Sequence, residues 1–256
     1  MTPEKEPPMS TRVARDRVTG TPFTRGLGIV TILGIVWLVI FGLFVTPADV
    51  NQGETVRIMY AHVPGAWLAY LAFIVTALSS AMYLWRRTRS LTWDRIAGAS
   101  AEIGVLFMGI SLVTGSLWGR LTWGTFWTWD ARLTTTAFLF VTYIGYLAVR
   151  GLGGTHHQRA RRSAVLALLA VLEIPLVHFS VEIWNSLHQE ASVAGNTDVT
   201  MDGLMLFTLF LGVIVFTLMY VWMLLHRQRA LTLEDMLDDS GLDRALAARR
   251  AEAGVS

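Results

Sequence analysis

The sequence predicts an all-α, polytopic membrane protein with six transmembrane helices and both termini in the cytoplasm. Three observations predict it. The chain is 53% hydrophobic and only 16% charged, against roughly 25% charged in an ordinary soluble domain. Six segments reach the ~20 apolar residues that a helix needs to cross ~30 Å of hydrocarbon. The basic residues then fall on alternate connections, as expected of a chain threaded back and forth through a bilayer.

The first 26 residues, with Pro3, Pro7, Pro8 and five basic residues, are too long and too polar for the leading part of a signal peptide. No small-residue cleavage site follows, so the first apolar run reads as a retained helix. The spans are placed at 27–45, 63–84, 96–117, 131–149, 164–183 and 203–225. This divides the chain into an N-terminal tail (1–26), a membrane domain (27–225) and a C-terminal tail (226–256). Leu231, Leu233, Met236, Leu237, Leu242 and Leu246 give that second tail two readings, an amphipathic helix or a solvated segment. No internal repeat suggests the inverted halves of a secondary transporter.

All of the 21 Lys and Arg residues except Arg57, Arg120 and Arg132 lie before span one, around the connections two–three and four–five, or after span six. By the positive-inside rule those connections are cytoplasmic. The basic balance is therefore topological, and no nucleic-acid patch is expected. The absence of Cys excludes thiol redox catalysis, Cys-ligated zinc or iron–sulfur sites, and covalent haem attachment through C-x-x-C-H.

With sidedness assigned, the histidines sort themselves. His156, His157 and His226 lie on the cytoplasmic side and His178 falls inside span five. Only His62 and His188 belong to the outer face. His62 precedes Val63-Pro64-Gly65, and proline suits the first turn of a helix because its missing N–H would go unpaired there.

The second outer connection is the most unusual stretch. Trp118, Trp123, Trp127 and Trp129 are four of the ten tryptophans, gathered within about twelve residues and followed by Asp130. If helical, Trp123, Phe126, Trp127 and Asp130 share one face. An aromatic belt at headgroup level is the simpler reading. The density suits better a platform on which a large planar ligand stacks.

The three outer arginines add a preference for anions. Arg57 and Arg132 could each pair locally, with Glu54 and Asp130, or recognise ligand carboxylates through the guanidinium fork. A flat, apolar, carboxylate-bearing ligand held by two imidazoles is haem, and bis-imidazole ligation needs no cysteine. Span five carries Glu173, His178 and Glu182, and an intramembrane carboxylate is a functional candidate. The alternative reading is thus a transporter or permease subunit moving a substrate past Glu173 and His178. No nucleophile or catalytic dyad is visible, so a transfer or assembly protein is expected rather than an enzyme.

The segment Trp123-Gly-Thr-Phe-Trp-Thr-Trp-Asp-Ala-Arg-Leu-Thr134 resembles the WWD segment of the haem-handling superfamily of bacterial cytochrome c maturation. Within it, the chain is most similar to the haem exporter family CcmC, across all six spans. The stretches Arg57-Ile-Met-Tyr-Ala-His-Val-Pro64, Val113-Thr-Gly-Ser-Leu-Trp-Gly119 and His178-Phe-Ser-Val-Glu-Ile-Trp-Asn-Ser-Leu-His188 match in order. Phe126 and Ile183 stand where tryptophan is common in the family.

The resemblance implies a site facing the periplasm of the bacterial inner membrane. There haem b is held noncovalently by two axial histidines, matching His62 and His188, over Trp118, Trp123, Trp127 and Trp129. Asp130 would order the segment or orient the chaperone, and Arg57 and Arg132 would be candidates to meet the propionates. The implied partners are the haem chaperone CcmE, the complex subunits CcmA, CcmB and CcmD, and membrane lipid.

Overall fold

The computed structural model describes residues 20–184, 186–188 and 201–252. Seven α-helices run along the chain: α1 Pro22–Ile40, α2 Met59–Leu84, α3 Leu91–Trp123, α4 Ala131–Gly151, α5 His156–Ala170, α6 Glu173–Ile183 and α7 Gly203–Glu252. Taking α5 and α6 as one interrupted span, six helices among the described residues are long and apolar enough to cross a membrane. The six predicted spans are therefore present, and their ends differ for local reasons.

Span one begins earlier than predicted because Thr21 caps it. The Thr21 and Thr24 side chains bond reciprocally with each other's backbone, and Pro22 takes the first helical position, where its missing N–H costs nothing. The helix closes in a wide π turn, Phe41–Val45, ended by the Thr46 hydroxyl donating to the Phe41 carbonyl at 3.0 Å.

Span two starts with a 3₁₀ turn, Glu54–Ile58, running directly into α2. Pro64 consequently stands inside the helix rather than in its first turn, a correction to the sequence reading. Its ring lies against Gly212 of α7. A flat glycine surface there lets the two helices meet where the proline interrupts the hydrogen-bond ladder.

Helix α3 runs past the predicted end at 117 to Trp123 and stops at Gly124, whose φ of 78° is left-handed, a conformation glycine adopts without a Cβ clash. Span five is broken at residues 171–172, between α5 and α6. The helix that carries span six does not stop near 225: α7 continues to Glu252, so the division at 225/226 falls within a helix.

The core lies between α2 and α3, with α4, α5 and α7 closing around it. Phe73 and Tyr143 stack at 3.6 Å between centroids and 14° between planes, among Leu68, Ala72, Met108, Leu139 and Tyr146, all buried. Small residues bring backbones close enough for polar contacts in the interior. The Ser100 hydroxyl donates to the Ala72 carbonyl at 2.6 Å and meets the Tyr220 hydroxyl at 2.7 Å. α1 is peripheral and packs on α7.

At the arginine-rich end an ion-pair network joins four helices. Arg150 forks onto Asp94 at 2.5 and 2.9 Å, both side chains buried. Asp235 of α7 receives Arg95 at 3.0 Å and Arg159 at 3.1 Å, and Arg227 forks onto Glu102. The beginning of the polar extension of α7 is thereby fixed to the bundle. Removing one partner of a buried pair strands the other charge, which costs about 3–5 kcal/mol. Asp94→Ala is expected to lower the melting temperature in detergent sharply, whereas Asp239→Ala, whose carboxylate is exposed and meets only His156, leaves it within a degree or two. Thermal unfolding of the two purified variants checks this.

Candidate functional site

The end of the bundle opposite the ion-pair network holds a cavity of about 390 Å³, within the usual range of roughly 300–1,000 Å³ for ligand pockets. Its lining includes His62, His188, Trp118, Trp123, Trp127 and Arg132. Both histidines predicted as ligands are thus brought to one space from opposite halves of the chain. The cavity reaches Tyr70 and Met108, and Tyr70 lies about two helical turns deeper along α2 than His62. Much of its wall is apolar.

His62 sits in the first turns of α2 and faces α3. Its Nδ1 lies 3.1 Å from the Thr114 hydroxyl, and its ring meets the edge of Trp118 at 5.7 Å and 75°. The Trp118 indole N–H donates to the Gln52 side-chain oxygen at 2.8 Å, so that ring is held from both sides. Across the cavity, Trp123 meets the His188 ring at 6.1 Å and 66°. Each histidine therefore has its own tryptophan.

The Trp segment does not form the single helical face that the spacing allowed. With α3 stopped at Gly124, residues 125–130 are non-helical. Trp127 turns into the cavity. Trp129 is 84% exposed and contacts the Trp127 ring edge-on at 5.7 Å. Phe126 faces outward beneath the Arg120 guanidinium, 5.5 Å from its ring centre, and Arg120 donates to the Gly124 carbonyl that the helix end leaves free.

Asp130 does not line the cavity; it positions what does. One oxygen accepts the Leu133 N–H at 2.8 Å and caps α4. The other accepts the Ser186 hydroxyl at 2.7 Å and the Leu187 N–H at 3.1 Å. The chain that bears His188 is latched by this carboxylate to the end of the Trp segment. Burial would raise the Asp130 pKa, but the hydrogen bonds from Ser186, Leu133 and Leu187, with His188 nearby, outweigh it and hold the carboxyl below its usual range.

The two predicted arginines part company. Arg57 is paired with Glu54 and donates to the Gly42 carbonyl at 2.9 Å; it fastens the 3₁₀ turn to the end of span one and does not line the cavity. Arg132 does line it, with one amine donating to the His178 carbonyl at 2.7 Å. Its Nε and the Trp127 indole N–H are buried and have no partner among the described residues. Two orphaned donors and an apolar wall fit a ligand that is largely apolar and carries anionic acceptors.

Glu173 accepts the Thr142 hydroxyl at 2.9 Å beside the break in span five, and Glu182 is exposed. Neither they nor His178 line the cavity. Among the described residues, no ion pair joins His178 to Glu182.

Sequence reasoning missed Gln52, Thr114 and Gly115, which hold Trp118 and His62. Their signal is cross-helix proximity; the nearest trace of it was the Val113–Gly119 stretch.

Residues 13–240 match the family described as heme exporter protein C, CcmC. The chain belongs to the CcmC family. It is 40% identical to heme exporter protein C of Bradyrhizobium diazoefficiens over 196 residues, covering 75% of this chain and 73% of that protein. The protein of the same name from Haemophilus influenzae is 39% identical over 197 residues, 77% of this chain and 78% of its own length. A ccmC-like mitochondrial protein of cytochrome c biosynthesis from Marchantia polymorpha is 37% identical over 168 residues, 64% of this chain and 70% of that protein. In this CcmC-family chain, the stretches that carried the resemblance are the ones that wall the cavity.

The Asp130 latch has a defined pH dependence. Its depressed pKa means its stabilisation is complete above the unfolded value of roughly 3.9 and is lost as pH falls through the lower folded value. Hydrogen exchange at 186–188 is expected to stay slow from pH 7 to about 5. Asp130→Ala is expected to accelerate that exchange at neutral pH, with about 1 kcal/mol lost from the α4 cap.

Proposed function

We propose that this CcmC-family chain handles haem for cytochrome c biogenesis. It binds haem b noncovalently in the cavity and delivers it to the chaperone CcmE, in a complex with CcmA, CcmB and CcmD. The observation that carries this reading is the convergence of His62 and His188 on one apolar cavity walled by Trp118, Trp123 and Trp127. The names borne by its relatives, heme exporter and cytochrome c biosynthesis proteins, point the same way.

Each group has a physical task. His62 and His188 are the axial ligand candidates, one on a helix and one on a latched loop. The tryptophans supply flat surface against which a porphyrin packs. Arg132, with an unpartnered Nε, is the candidate for a propionate, while Arg57 would act on the ligand only by keeping the span one–two turn in place. Trp129, exposed and edge-on to Trp127, would extend that platform to the surface. The function is binding and handoff, without turnover of a small substrate. Haem supplies a Lewis-acidic iron and two carboxylates, and the protein supplies orientation and release.

The arginine distribution supports a periplasmic site in the bacterial inner membrane, with both tails cytoplasmic. Because the chain has no cysteine, single-cysteine variants report sidedness directly. In intact spheroplasts, a cysteine at position 126 is expected to react with an impermeant maleimide and one at position 153 only after lysis. The reverse pattern would overturn the orientation.

Haem binding is tested by purifying the full chain from haem-replete cells lacking CcmE and recording its absorption spectrum. A low-spin haem spectrum is expected for the wild type, with loss or conversion to high spin in His62→Ala and in His188→Ala. A colourless wild type contradicts the reading; an unchanged low-spin spectrum in both variants overturns the ligand assignment.

A further inference from the structure

α3 presents a socket to the His62 ring. Three of its residues, Thr114, Gly115 and Trp118, meet that ring. Thr114 lies 3.1 Å from Nδ1. Trp118 fixes the ring's tilt through its edge-on contact at 5.7 Å. Gly115 makes the approach possible: a Cβ there would stand 2.9 Å from the His62 Cε1, closer than packed atoms allow.

The hydrogen-bond inventory offers the Thr114 proton two acceptors on its own helix. The Thr114 hydroxyl lies 2.9 Å from the Ile110 carbonyl and 3.2 Å from that of Ser111. Carbonyl oxygens only accept, so a proton turned to either of them leaves the hydroxyl lone pair facing His62. In that arrangement Nδ1 is the donor. A histidine that donates from Nδ1 carries its free lone pair on Nε2.

We propose that Thr114 is the positioning residue for His62: it holds the imidazole as the Nδ1–H tautomer, in one orientation, so that Nε2 is presented to the iron. The inference rests on the haem reading above. It also separates the two ligands, since His188 is placed by a backbone latch and His62 by a side-chain hydroxyl. Partners that orient a metal-bound histidine typically contribute about 10–100-fold in affinity.

The test compares Thr114→Val, isosteric but without the hydroxyl, with Thr114→Ser, which restores it, in the full-length chain. Haem affinity by titration, the Soret spectrum and the haem midpoint potential are measured together with the melting temperature of the haem-free protein. Thr114→Val is expected to weaken haem binding about 10–100-fold and to shift the potential, with the haem-free melting temperature held and Thr114→Ser close to wild type. Affinity and potential equal to wild type in Thr114→Val overturn the proposal, and so does a Thr114→Ser as impaired as Thr114→Val. If the valine variant fails to accumulate, Thr114→Ala, which only removes atoms, decides by the same readouts. A wild type without haem would sink the haem reading itself. A wild type that loses haem in His62→Ala but not in Thr114→Val would sink this inference alone.

Discussion

In hydrocarbon, every backbone N–H and C=O must find a partner inside the protein, because no water is there to take its place. The rest of this structure follows from that requirement. The chain leaves the helical state mainly at the two ends of the bundle, and at the interruption at 171–172 within span five the amides stay on backbone carbonyls, Val171 on Ala167, Leu172 on Leu169 and Ile174 on Val171. A site that needs irregular backbone, such as residues 125–130, must therefore sit at an end. Gly124 and Asp130 mark its limits, the first by leaving the helix in a left-handed turn and the second by capping the next one.

The two ends are then put to different uses by the same residue type. At one end arginines are consumed by carboxylates: Arg150 by Asp94, Arg95 and Arg159 by Asp235, Arg227 by Glu102. Buried ionic groups of this kind hold a particular arrangement of helices more than they add net stability. At the other end, Arg57 and Arg120 serve backbone carbonyls exposed by helix ends, whereas Arg132 lines the cavity and keeps a buried Nε without a partner among the described residues. Three outer arginines look alike in the sequence, and the difference between them is which carbonyl each can reach.

Hydropathy made the six spans legible, because the need to be apolar over ~20 residues is written in consecutive positions. Charge asymmetry then picked His62 and His188 out of six histidines, and the two do share one cavity. What the sequence could not supply was geometry between distant positions. The i, i+3, i+4, i+7 pattern of Trp123, Phe126, Trp127 and Asp130 was compatible with a helix, yet one left-handed glycine at 124 overrides it. Asp130 to Ser186, Trp118 to Gln52 and His62 to Thr114 are contacts between separate elements, and no single stretch encodes them. The length of α7 was likewise hidden, since its hold on the bundle beyond the membrane is made through Asp235 and residues far away in sequence.

The two histidines are held by unequal means, and the proposed handoff of haem gives that difference a use. His62 is built into a helix, pinned by a neighbouring hydroxyl and confined by an absent side chain at Gly115. His188 lies on irregular chain fastened to the core of the site by one carboxylate, Asp130, through Ser186 and Leu187. Opening that latch frees one side of the cavity while the other stays in place. Tight binding by two rigid ligands would favour retention, because both axial bonds would have to break together before the cargo could leave. On the proposed reading, one fixed and one releasable ligand would let an incoming partner replace half of the coordination at a time. The absence of cysteine removes the covalent alternative, so on this reading the grip on haem must come from such noncovalent elements, and the asymmetry between a helix-borne and a loop-borne imidazole is what makes the grip reversible.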